Sequence, residues 1–449
     1  MGTRHPEDVH VPFIVASLVI GVFGGFTLAV SLPVEAALGR IDAGWLAHAQ
    51  AHGHLQVVGF AGLFVIGMAL KLGPRFAGRA SPAFLRLVMP GLTLSVAGLL
   101  MRAIAQPLAS HSPFGGLLIA GAVTELAGAA LLSGVLASTM WRGARRGDPS
   151  CLFLTGTAVW LLTQAALGAW WLTELALEAG TILDATKSAA LVHLQLFGVI
   201  LAALLGVGFR SFPTFFGAPP PHVWVSLTAF ALLTVGLALW TVGGAIDGPF
   251  LSAVAGLGRF EVGAAIFCAL TAFGLGRRGH RLAPASRGYI WALRPVMGWL
   301  TVTGGILIWS GTTSLVASNP ASIETLDALR HVFAIGVVTL AIIGMAQLIL
   351  PEFASERLVG HPAPWRGVAF GSALSIAAAL RGLVPLSGLD GEPRWWLMAL
   401  AGIIALMAIA VFGLSYWRAR RGHVAYMARM AAMRARGPEL RMVGDQETT

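Results

Sequence analysis

The chain has 449 residues, of which 56% are hydrophobic and only 11% are charged. A soluble domain carries about 25% charged residues, so there is too little charge to wet a body of this size, and an ordinary soluble protein is excluded. The net charge of +10 points to no nucleic-acid partner, because the arginines fall in the connections between apolar runs and in the tail. Cys151 and Cys268 are the only cysteines, too few for a disulfide framework, and there is no CxxC or CxxCH. Thiolate clusters and covalent c-type haem attachment are therefore excluded on this chain.

Apolar runs of about 20 residues recur along the chain, continuous rather than alternating, which reads as membrane-spanning helices and not as a β-barrel. Twelve spans are expected, near 11–33, 45–72, 84–105, 113–140, 151–175, 186–209, 222–243, 250–275, 290–315, 323–350, 366–386 and 395–417. The first run has no small-residue cleavage site and reads as a retained span. No connection is long enough for a soluble domain, so residues 1–417 read as one membrane domain and 418–449 as a basic tail. Connections after even-numbered spans hold most of the arginine (Arg75, Arg79, Arg142, Arg145, Arg146, Arg277, Arg278, Arg281, Arg287, Arg357). That bias sets both termini in the cytoplasm. Segment 417–436 reads either as a basic amphipathic helix on anionic lipid or as a solvated tail that only sets topology.

Three segments align without gaps: HLQVVGFAGLFVIGMALKLGPRF from His54, HLQLFGVILAALLGVGFRSFPTF from His193 and HVFAIGVVTLAIIGMAQLILPEF from His331. Five columns are identical in all three. They are His54, His193, His331; Gly59, Gly198, Gly336; Gly67, Gly206, Gly344; Pro74, Pro213, Pro351; and Phe76, Phe215, Phe353. The starts are 139 and 138 residues apart, so each unit holds four spans (about 11–140, 151–275 and 290–417) and the motif falls on spans 2, 6 and 10. Those spans run the same way, so the repeats are parallel and related by an axis along the membrane normal. The expected fold is an all-α polytopic membrane protein of three four-helix units with pseudo-threefold symmetry. The glycines let helices approach closely, and the proline is expected to end each span.

Ionisable groups at membrane depth point to function. His48, His52, His54, His193 and His331 lie inside spans, and a neutral imidazole suits haem iron, copper or zinc. The alternative for the repeated three is a helix-packing hydrogen bond in each unit. His48 and His52 stand one turn apart and belong to the first unit alone, which suggests a second metal, copper; polar residues lining the span end are the alternative. Arg102 and Arg381 end spans 3 and 11, where they could bind haem propionates or snorkel to the interface. Glu125 and Glu261 stand at comparable places in spans 4 and 8, and either could serve a proton path or pair with Arg259.

The twelve spans, the His-x-x-x-x-Gly openings and the Pro-x-Phe endings resemble NnrS, a haem- and copper-containing membrane protein family associated with nitric oxide and nitrosative stress. More distantly, the plan resembles the catalytic subunit of haem–copper oxidases and nitric oxide reductases. The resemblance covers nearly the whole chain up to residue 417. It implies a bacterial inner (plasma) membrane location, haem b, copper, nitric oxide as ligand and an electron-donor protein. It sets His54 and His331 as ligands of a low-spin haem between spans 2 and 10, and His193 on the span that gives a copper ligand. The oxidases also carry a His pair on span 7 and a second His on span 10, and this chain has neither. A complete oxygen-reducing centre is therefore not expected. The rival reading is a small-molecule or metal-ion transporter whose His54, His193 and His331 converge on one ion. A divergent oxidase or nitric oxide reductase subunit is the third.

Overall fold

The computed structural model describes residues 8–245, 248–274, 284–350 and 364–444, with side-chain surroundings for all of these except 284–286, 364 and 434–444. It is all-helical, and twelve helices are long and apolar enough to cross a membrane. They are α1 (Val11–Ala37), α2 (Ala43–Phe76), α3 (Leu85–Leu108), α4 (Phe114–Trp141), α5 (Pro149–Leu177), α6 (Ala185–Phe216), α7 (Val223–Ala245), α8 (Pro249–Phe273), α9 (Arg287–Ala317), α10 (Ile323–Ile349), α11 (Trp365–Leu386) and α12, which runs Glu392–Gly444. The expected spans coincide with these helices except at some ends. α2 and α6 continue past Pro74 and Pro213, so the proline occupies the last turn and does not terminate the helix. Gly217, at φ +71°, ends α6 instead, in the left-handed conformation that glycine adopts without a Cβ clash. Pro351 and Phe353 lie outside the described residues, as do Arg277, Arg278, Arg281 and Arg357. Nor does α12 stop at 417; the basic tail continues it as the same helix.

Side-chain caps start the three motif helices. Asp42 accepts from the Trp45 amide (2.7 Å), Asp184 from Thr186 (2.8 Å) and Ser322 from Thr325 (3.2 Å). Each satisfies an amide that the first turn leaves without a partner.

α2, α6 and α10 form the centre. The most apolar stretch of each is 72%, 89% and 83% buried, against 33–56% in the other nine helices. The three touch one another and line a small apolar cavity of about 70 Å³. Its wall takes Val65, Leu204 and Ile342, then Met68, Val207 and Met345, each trio standing at matching places in the repeats. Outside them, α3 packs on α4, α7 on α8, α8 on α9, and α12 returns to α1.

The glycine columns explain how the centre meets the first helix of each unit. A Cβ on Gly59, Gly198 or Gly336 would stand 2.6 Å from Ile20, 2.8 Å from Trp160 or 2.6 Å from Trp299. On Gly67, Gly206 or Gly344 it would stand 2.5 Å from Phe13, 2.9 Å from Phe153 or 2.8 Å from Leu293. These partners come from α1, α5 and α9, so both columns mark one recurring interface.

The central helices look unbroken in the sequence, but they are not regular. Immediately after each repeat histidine, the α-helix gives way to eight π-helical residues: Leu55–Gly62, Leu194–Leu201 and Val332–Thr339. A shorter π segment, Gly21–Gly25, interrupts α1. Such segments are rare and gather at functional sites. Threonine hydroxyls take up carbonyls there: Thr339 Oγ1 donates to Ala334 O (2.9 Å) and Thr27 Oγ1 to Val22 O (2.7 Å), each five residues back.

Candidate functional site: two cavities and a closed histidine network

The three repeat histidines find three different settings. His54 has Nε2 2.9 Å from Glu125 Oε2 on α4 and Nδ1 3.0 Å from Arg102 Nη1 on α3. A guanidinium can only donate, so Nδ1 accepts and Nε2 carries the proton that Glu125 receives. Arg102 Nε also donates to Gln106 Oε1 (3.2 Å), and Gln106 Nε2 to Gln50 Oε1 (2.7 Å). His54, Arg102, Gln106 and Glu125 are all buried. The network is closed: the Arg102 cation is offset by Glu125, with a neutral imidazole between them. Both ring nitrogens of His54 are occupied, so the expected metal-ligand role does not fit this arrangement. Arg102 likewise turns to His54 and not outward to a propionate.

The histidine that shares a cavity with His331 is His52, not His54. His331 Nδ1 lies 2.8 Å from the Asp327 carbonyl oxygen and 3.2 Å from Asp327 Oδ1. Arg381 holds that same carboxylate with two nitrogens, at 2.6 and 3.2 Å. Arg381 therefore acts behind His331, through Asp327, and is not free for a propionate. His52 Nδ1 lies 2.9 Å from the Gly25 carbonyl oxygen, at the end of the α1 π segment. A carbonyl only accepts, so Nδ1 is the donor in both rings, and Nε2 is left for another partner. Both line a cavity of about 490 Å³ walled by α1, α2, α6, α10, α11 and α12. They sit nine and eight residues from the starts of their helices, about 14 and 12 Å along the axes. A carboxylate behind the imidazole, as at Asp327–His331, is the arrangement that orients metal-bound histidines. His48 does not join His52; it is exposed, with Nδ1 turned back to Gly44 O (2.8 Å). The two therefore form no shared copper site.

His193 occupies a second cavity, of about 530 Å³, walled by α6, α7, α8 and α10. Its ring stacks on Trp240 with centroids 4.0 Å apart, and its Nε2 accepts from Arg330 Nε at 3.3 Å. The lone pair expected to hold copper thus faces a guanidinium, which repels a metal cation. Arg330 lines both cavities and stands between them. Arg259, buried in the second cavity, pairs with neither glutamate: its Nη2 donates to Ser314 Oγ at 2.6 Å. Glu125 belongs to His54, and Glu261 Oε2 is buried without a hydrogen-bond partner.

Among the described residues, no group of three or more His, Cys, Asp and Glu is arranged to hold a metal ion. The three repeat histidines do not form one ion site. Sequence reading missed Asp327, Gln106, Trp240 and the role of Arg330. The signal for Asp327 was present, because it precedes His331 by four residues and so shares its helix face. No protein-family model matches the chain, and no match is found among curated proteins.

Proposed function

We propose that the chain is a haem-binding protein of a bacterial inner membrane, of NnrS type, that handles nitric oxide, with haem b held between α2 and α10 by His52 and His331. The observation that carries this reading is the pair itself. Two imidazoles from different central helices, at similar distances from their helix starts, line one cavity whose size suits a bound cofactor, and each has its Nδ1 engaged by a carbonyl, which leaves Nε2 for a ligand. Each is fixed from behind, His331 by Asp327 and Arg381, His52 by the Gly25 carbonyl. A haem held by His52 and His331 would supply one-electron chemistry and an iron that binds nitric oxide. Phe26, Val57, Leu196 and Ile335 give the cavity apolar wall for a macrocycle, and Trp45 and Trp395 border the same space, packed edge to face at 6.0 Å. In this reading the twelve helices form three parallel four-helix units about a pseudo-threefold axis, like the oxidase catalytic subunit. The matched π segments and the axial trios of α2, α6 and α10 support that arrangement. Both termini are cytoplasmic.

The test is an absorption spectrum of the purified protein loaded with haem. Wild type and His54→Ala should show a six-coordinate low-spin spectrum, and His52→Ala and His331→Ala should lose it. Low-spin haem retained in both of the latter variants, or no haem uptake by the wild type, overturns the reading.

A further inference from the structure

The second cavity differs from the first in charge. Among its described wall residues are two guanidiniums, Arg259 and Arg330, and no carboxylate. Arg259 is 3% exposed and lies ten residues into α8, about 15 Å along the helix. Its Nη2 reaches Ser314 Oγ (2.6 Å) and, more weakly, Ser310 O (3.5 Å), while its buried Nε has no partner. Arg330 gives its Nε to the neutral ring of His193. The nearest carboxylate on its own helix, Asp327, is held by Arg381 and His331 at the other cavity. Burying a cation without an opposite charge is expensive, and doing so at membrane depth more so. Among the described wall residues of this cavity, serine oxygens and an imidazole supply hydrogen bonds but no opposite charge; the carboxylate that acts on Arg330, Asp327, is shared with Arg381 and His331.

We propose that this cavity binds a small oxygen-bearing anion, a carboxylate or an inorganic oxyanion, with Arg259 and Arg330 as its charged contacts. A guanidinium fork matches two oxygens of such a group. Trp240, held flat against His193, closes one wall and keeps that ring in place as the acceptor for Arg330. The small residues Ala185, Ala189 and Gly244 leave room beside the arginines. Two sources offer the same chemistry: a free anion, or the carboxylate arm of a prosthetic group. The proposal needs no haem in the first cavity and stands or falls separately from it.

The experiment uses the full-length protein in detergent, desalted, with binding read by thermal shift and by calorimetry. Sodium formate and sodium nitrate are titrated against sodium chloride at equal ionic strength. Wild type should show a saturable upward shift with formate or nitrate. Arg259→Gln and Arg330→Gln should weaken binding at least tenfold. Arg259→Lys, which keeps the charge, should retain more binding than Arg259→Gln and serves where the glutamine variant does not fold. Arg210→Gln, whose partner Asp148 lies outside this cavity, should bind like wild type. If haem-loaded protein loses the response that haem-free protein shows, the occupant is the carboxylate arm; if both respond, it is a free anion. No saturable response in either form, or equal response in wild type, Arg259→Gln and Arg330→Gln, overturns the proposal.

Discussion

His52 and His54 are two residues apart on one helix, and that spacing decides their fates. At about 100° per residue they point about 200° apart, so they cannot serve the same site. His54 faces α3 and α4 and closes a charge network, while His52 faces the cavity toward α10. Removing one member of a buried ion pair leaves an uncompensated charge, which costs about 3–5 kcal/mol. Glu125→Ala should therefore lower stability by roughly that amount and leave haem loading nearly intact, as thermal melting and the Soret band of one sample will show. Asp327→Ala should do the reverse. It strips the carboxylate from behind His331 and frees Arg381, so haem affinity should fall about 10–100-fold, measured by haem titration. Unchanged affinity in that variant removes Asp327 from the ligand's support.

At the scale of helices, the packing of α1, α5 and α9 on the central three is set by glycine. The Cβ of Gly336→Ala would stand 2.6 Å from the Trp299 ring, and overpacking of this kind costs about 1–3 kcal/mol. Gly116→Ala in α4, where nothing lies within 4 Å, should be neutral or stabilising by up to about 1 kcal/mol. Thermal melting of the two variants side by side checks the contrast. The caps offer a second comparison: Asp184→Ala and Ser322→Ala should each cost about 0.5–2 kcal/mol. The π segments could not be read from the sequence, because eight apolar residues look alike in either helix type. What the sequence did carry was their location, since each begins directly after the repeat histidine.

For the whole molecule, the spans were legible because hydropathy over about 20 residues reports membrane crossing directly. The central place of α2, α6 and α10 was legible in the repeated Gly columns. Which side chains would meet was not, and the reason is geometric. His54 meets Glu125 on α4, His193 meets Trp240 on α7 and Arg330 on α10, and His331 meets Asp327 on its own helix, which Arg381 of α11 holds. Matching places in the sequence therefore do not bring these three side chains to one gap. The two histidines that do line one cavity, His52 and His331, stand at non-matching positions. The topology is open to a direct check. Cysteines at Ser110 and Asp390, exposed in the α3–α4 and α11–α12 connections, should react with an impermeant reagent in intact cells, and one at Arg145 should not. Labelling at 145 reverses the orientation.

The continuity of α12 has a consequence for how the tail comes to be helical. Its 53 residues make a rod of about 80 Å, more than twice the roughly 30 Å hydrocarbon thickness of a membrane. Between 418 and 433 most of its side chains are exposed, so packing does little to hold that part in shape. An isolated segment with Gly422, Gly437 and Pro438 in it holds a helix poorly in water, because starting the first turn is the unfavourable step. Here the start has already been made inside the bundle, and each further residue needs only to add one hydrogen bond to a helix that exists. The tail therefore borrows its order from the span before it. A peptide of residues 418–444 on its own should show much less helicity by circular dichroism than the same segment attached to α12.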